Sequence, residues 1–155
     1  MANRVIVFVR RRGALGSGHI GWAFADGEKT FYAGSVENPW GLPVTPSADM
    51  GFWVVQTSDP IAPMRARHYD EFKVIDVEQP NIAYALRVIA WVHQQTYEVL
   101  GRNCMDAAYD ILRAYGSAQL PIPARIWEPN HWFNQAPGSH YHIDRAGVDL
   151  ETDPH

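Results

Sequence analysis

The sequence predicts an α+β fold in which an antiparallel sheet from the amino-terminal half packs against two consecutive helices. Up to Val77 the apolar residues come in short β-branched and aromatic runs, punctuated by Gly, Pro and Asp-Gly. From Asn81 the apolar spacing lengthens to three and four residues, the repeat of a helix with one buried face. Bulk is sufficient for a real core: of 155 residues 46% are hydrophobic, with six Trp, seven Tyr and six Phe, and the length fits one domain over 1–155.

Taken in order, Val5 to Val9 is a strand, followed by the glycine-rich stretch Gly13 to Gly18. His19 to Ala25 and Lys29 to Ala33 flank Asp26-Gly27, a pair suited to the positive φ of a hairpin turn. Glu37 to Asp49 carries Pro39, Pro43, Pro46 and Gly41 and reads as a loop, since proline removes backbone donors. Gly51 to Thr57 returns to strand composition, a short helix opens at Pro63, and Lys73 to Val77 alternates as a further strand. Ile82, Leu86, Ile89, His93, Thr96 or Tyr97, and Leu100 form a stripe of about five turns, stopped by Gly101. A second helix begins at Cys104, with Asn103 as N-cap and Asp106 as capping partner. It carries Ala107, Ala108, Ile111, Leu112 and Tyr115 on its apolar face and ends at Gly116. From about 117 to 155, Pro121, Pro123, Pro129 and Pro137 with Trp127, Trp132 and Phe133 predict an irregular segment anchored over the core, ending in a polar, frayed tail.

Charge excludes one class of partner. The net charge is -4 and the basic residues are scattered apart from Arg10, Arg11 and Arg12, which read as a solvated strand end, so nucleic acid is not an expected ligand. The one cysteine, Cys104, makes no intramolecular disulfide and suits a reducing compartment. No run approaches the roughly 18 apolar residues of a membrane span. The amino terminus lacks a secretory pattern, so a cytoplasmic location is expected, with non-classical export left open.

Cys104 is the most informative residue for chemistry. At the first position of a helix it meets unpaired backbone N–H groups and the positive end of the helix dipole, which favour a thiolate and supply donors for an oxyanion. The same position on an apolar stripe also suits a buried structural cysteine. His19 opens a strand directly after the glycine-rich stretch, where rigid backbone can hold an imidazole as general base. His68 and His93 read as packing residues. His140 and His142 point the same way on an extended segment and, with His131, offer a metal alternative, although no Glu or Cys stands near them at a diagnostic spacing.

Two segments carry a family resemblance. Gly18-His19-Ile20-Gly21-Trp22-Ala23-Phe24 with Asp26-Gly27, followed much later by Asn103-Cys104 opening Met105-Asp106-Ala107-Ala108-Tyr109-Asp110-Ile111-Leu112, resembles the circularly permuted papain-like superfamily. That group includes the NlpC-type cysteine peptidases and relatives of lecithin retinol acyltransferase, with the histidine strand ahead of the cysteine helix. The resemblance implies a thiol-dependent hydrolase (a cysteine peptidase or amidase) or an acyltransferase acting on an amide, peptide or ester. Cys104 would be the nucleophile and His19 the general base and acid, and no metal or organic cofactor is required. The family usually places a third polar residue, often histidine, on the strand after the Asp-Gly turn. Thr30-Phe31-Tyr32-Ala33-Gly34-Ser35 departs from this pattern, leaving Tyr32, Ser35, a backbone carbonyl or water to orient the ring. Three other readings stand beside it. One is an inactive relative that binds a peptide or acyl ligand in an aromatic groove. Another is a metal enzyme built on His131, His140 and His142, and the third is an exported effector. Trp22, Trp53, Trp91, Trp127 and Trp132 read as packing residues.

Overall fold

The computed structural model describes residues 3–12, 16, 18–36, 44–45, 51–94, 97–98, 103–126 and 128–144. In chain order the elements are β1 (Arg4–Arg10), β2 (His19–Ala25), β3 (Phe31–Val36), β4 (Val44–Thr45), β5 (Phe52–Thr57), α1 (Ile61–Ala66) and β6 (Glu71–Asp76). There follow α2 (Ile82–His93), β7 (Tyr97–Glu98), α3 (Cys104–Tyr115), a 3-10 turn at Pro123–Arg125, α4 (Pro129–Gln135) and β8 (Ser139–His142). The fold is α+β. Six strands form one antiparallel sheet in the order β5-β3-β2-β1-β6-β8, and β4 pairs with β7 apart from it.

Both faces of the central strands are covered, which is why β1 and β2 are apolar almost throughout rather than alternating with polar residues. Val5, Val7 and Val9 of β1 and Ile20, Trp22 and Phe24 of β2 pack with Ala107, Ala108, Ile111 and Leu112 of α3 and with Trp132 and Phe133 of α4. The opposite face, with Ile6, Phe8, Ala23 and Ala25, packs under Met64 of α1, Tyr69 and Phe72. Gly21 belongs to that face, and an added Cβ there would lie 2.9 Å from Met64 Cε, so the lack of a side chain lets α1 close on the sheet. α3 is tied to β2 by the Tyr115 hydroxyl, which donates to Ala25 O at 2.7 Å.

Several expectations need correcting. α2 ends at His93, with Gln94 as its C-cap, not at Leu100. Tyr97 pairs with Thr45 and Glu98 with Val44, so strand pairing takes residues whose spacing would have continued the helical stripe. The buried side chains of α2 are Ala85 and Val92, with Ile82, Leu86 and Ile89 half-buried, while His93 is exposed and stacks on Phe52 at 4.5 Å. α1 opens at Ile61, two residues before Pro63, because a proline in the first turn removes an N–H that has no helical acceptor. The segment after residue 117 is not irregular. It holds the 3-10 turn, α4 and β8, and β8 is the sixth strand of the main sheet. The Asp26-Gly27 hairpin is confirmed with a longer connection, closed by Asp26 N donating to Thr30 O at 2.9 Å and with Gly27 at φ +88°. Most of the loop 37–49, the predicted helix end at Leu100 and Gly101, Trp127 and the terminal residues including His155 lie outside the described residues.

Candidate active site

The start of α3 forms as its sequence dictates. The Asn103 side chain accepts from Met105 N at 2.9 Å and Asp106 N at 3.4 Å, and Asp106 Oδ2 accepts from Asn103 N at 3.1 Å, a complete capping box. Cys104 is the first helical residue, and the packing of α3 on β2 carries its sulfur to the peptide joining His19 to Ile20. There Ile20 N donates to Cys104 Sγ at 3.4 Å.

The imidazole is held from the other side of the strand. His19 pairs with Arg10 and Gly21 with Ser35, so the side chains of His19 and Ser35 share the face that packs under Tyr69. His19 Nε2 lies 3.1 Å from Ser35 Oγ, Ser35 Oγ donates to Ile20 O at 3.1 Å, and the Tyr69 hydroxyl donates to Ser35 Oγ at 3.0 Å. A serine hydroxyl has one hydrogen and two acceptor lone pairs. With its hydrogen given to Ile20 O and one lone pair taken by Tyr69, Ser35 can only accept from the imidazole. The network therefore assigns the proton of neutral His19 to Nε2 and leaves Nδ1 as the basic nitrogen. Ser35, one of the residues left open by the sequence, supplies the third partner. Tyr32 does not hold the ring; it stacks with Phe24 at 5.5 Å.

Burial decides the electrostatics. Cys104 is 2% exposed and His19 7%. Burial pushes the Cys104 thiol up to about 12, with the Asp106 carboxylate acting the same way, and the N–H groups of Ile20, Met105 and Cys104 offset only part of this. Burial and then the charge of Arg10 lower His19 to about 4. The expected lowering of the thiol pKa by the helix terminus is thus overturned, because desolvation outweighs the dipole. The resting pair is neutral thiol and neutral imidazole. The thiol's hydrogen bond runs to the Ile20 amide, not to the ring.

α4 braces the approach to β2. Asn130 Nδ2 donates to Arg11 O and to Gly16 O, each at 3.0 Å. Gly18 has φ +99° and sits so close to Asn130 that an added Cβ would collide with it, so this position needs glycine for both conformation and space. Arg11 is not a solvated strand end. Its Nε and Nη2 grip the Glu71 carboxylate at 2.8 and 3.0 Å, and its Nη1 donates to Asn130 O at 3.3 Å.

Among the other sequence candidates, Trp22 and Trp132 are fully buried, while Trp91 is 47% exposed and Trp53 lies under the Arg67 guanidinium at 3.8 Å. His140 and His142 do face the same way, but their near neighbour is Glu71, not His131. Tyr69, Glu71 and Asn130 went unread in the sequence. Tyr69 and Glu71 lie in the charged stretch before the strand read from Lys73, and Asn130 lies in the proline-rich segment; none carries a local signal, since the partners of each are remote in sequence.

No family model, curated protein or solved structure matches the chain.

Proposed function

We propose that the chain is a thiol-dependent hydrolase or acyltransferase for an amide, peptide or ester, with Cys104 as nucleophile and His19 as general base and acid, in the manner of the permuted papain-like superfamily. The observation that carries this reading is the contact of His19 Nε2 with a Ser35 hydroxyl itself engaged by Ile20 O and Tyr69, from which the tautomer is inferred. A base buried in this way is neutral at pH 7, and its free lone pair is on Nδ1. In the proposed reaction Nδ1 accepts the thiol proton as Cys104 Sγ attacks the carbonyl carbon. The carbonyl oxygen, now an oxyanion, is received by the backbone N–H of Cys104, since those of Met105 and Asp106 serve the Asn103 cap. The imidazolium keeps its Nε2–H on Ser35 and returns the other proton to the departing amine or alkoxide, leaving an acyl-thioenzyme. Water or another acceptor then gives its proton to Nδ1 and its oxygen to the acyl carbon, and as the carbon–sulfur bond breaks Nδ1 passes that proton to Cys104 Sγ, restoring the neutral pair. The pair need not ionise before substrate binds, which suits a thiol raised to about 12. The reading requires thiol and imidazole, which stand on opposite faces of β2, to be brought into contact when substrate enters.

One observation favours a second reading. A nucleophile only 2% exposed also suits an inactive domain that binds a peptide or acyl ligand. The two separate on acylation by p-nitrophenyl acetate at pH 7, followed by intact mass and peptide mapping. The catalytic reading expects a nitrophenolate burst of one equivalent and an acetyl group on Cys104, lost in Cys104→Ala and slowed about 100-fold or more in His19→Gln, the scale of general-base catalysis. If folded protein stays unlabelled while urea-unfolded protein reacts, catalysis by Cys104 is wrong and the binding reading stands.

A further inference from the structure

Beyond the thiol site, the geometry points to a binding site for a late first-row divalent transition ion, of the zinc class, made by Glu71, His140 and His142. The ligand atoms of these three residues all lie within 4.8 Å of one another. The arrangement follows from strand geometry. His140 and His142 are two apart on β8, so both rings stand on one face, and Glu71 on β6 is the direct cross-strand partner of His142. Two imidazoles and one carboxylate are a donor set that suits zinc, copper or nickel better than magnesium or calcium, which prefer all-oxygen shells.

The distances are near those an ion needs. Ligand bonds of about 2.0–2.2 Å call for donor atoms roughly 3–3.5 Å apart. His140 Nε2 is 2.8 Å and His142 Nε2 4.0 Å from Glu71 Oε1, and the two rings stack at 5.1 Å. His142 stands farthest from the carboxylate, and its half-exposed side chain is the one of the three with most room to move toward the ion. The surroundings hold the other ligands in place. Arg11 grips both oxygens of Glu71, as an outer partner of a metal-bound carboxylate does, and His140 rests edge-on against Phe133 at 5.6 Å. Lys73, the cross-strand partner of His140, is turned away: its ammonium donates to Phe133 O, Asn134 O and Ala136 O at 2.8, 3.2 and 2.7 Å. With three protein ligands and two partly exposed rings, the ion keeps a coordination position open to water. It also fastens β8 to β6, so it binds the folded chain and not the unfolded one.

The test uses untagged full-length protein, cleared of metal and titrated with Zn2+ against a colorimetric chelator. The expected result is one equivalent bound with a Kd of about 10 μM or tighter. His140→Gln and His142→Gln should each weaken binding by about tenfold or more, while His131→Gln leaves it unchanged. Because His142 is partly exposed, His142→Gln keeps the fold, and circular dichroism verifies this. Zn2+ should raise the melting temperature of the natural chain and not that of His142→Gln. Absence of uptake, unchanged affinity in both β8 variants, loss of binding in His131→Gln, or an equal thermal shift in His142→Gln overturns the proposal.

Discussion

Ser35→Ala tests the reasoning about the imidazole most directly. The substitution deletes one oxygen and removes a hydrogen bond from each of three buried groups: His19 Nε2–H, the Tyr69 hydroxyl and Ile20 C=O. Ser35 is fully buried, so water does not take the place of the oxygen. At a net loss of about 1 kcal/mol for each hydrogen bond, the sum is about 3 kcal/mol. For a chain of this length that corresponds to a fall in melting temperature of about 6–12 °C. Urea unfolding at pH 7, followed by Trp fluorescence and circular dichroism, measures the loss. Imidazole 15N shifts report the tautomer, which should be Nε2–H in the natural chain and mixed in Ser35→Ala. A loss under about 0.5 kcal/mol, inside the ordinary range of surface substitutions, together with an unchanged tautomer would refute the network.

Three further outcomes follow from the same structure. His19 has a folded pKa of about 4 against 6.5 unfolded, so the unfolded chain binds the extra proton. Stability should be flat above pH 6.5 and fall by roughly 3 kcal/mol on acidification to pH 4, at about 1.4 kcal/mol per unit; urea titrations of His19→Gln should lack that part of the slope. Lys73→Met keeps the aliphatic stem but takes the ammonium from three carbonyls at the end of α4, of which Phe133 O keeps the Ala136 N–H, and should cost about 1.5–3 kcal/mol in chemical denaturation, an unchanged midpoint counting against the role given to the ammonium. Asn103→Ala removes the cap of α3 and should cost about 1 kcal/mol and speed amide exchange at Met105 and Asp106, whose N–H groups it frees.

Features written in neighbouring residues were legible in the sequence. The capping box at Asn103 and Asp106, the glycine ending α3 and the strand opening at His19 depend on chemistry a few residues long, and each stands where it was read. The end of α2 was not legible, because Tyr97 fits a helical stripe as well as it fits a strand and only pairing with Thr45 decides. Ser35 was visible as one of several polar candidates; that Tyr69 arrives to fix it depends on α1 folding over the sheet. The thiol's environment was misjudged for a related reason. A helix terminus is visible in sequence, but the depth at which it is buried is a property of the whole core.

The strand order has a consequence for how the chain assembles. β1 is made first yet lies inside the sheet, paired on one edge with β2 and on the other with β6. During synthesis β1, β2 and β3 zip together by local pairings, while the far edge of β1, lined by Val5, Val7 and Val9, has to wait for residues 71–76 to emerge. The edge of β6 waits longer still, until β8 arrives. Nascent chains stalled between these points present an open apolar strand edge, the form most prone to pair with another chain. The segment that looked least ordered in sequence is the one that closes this edge.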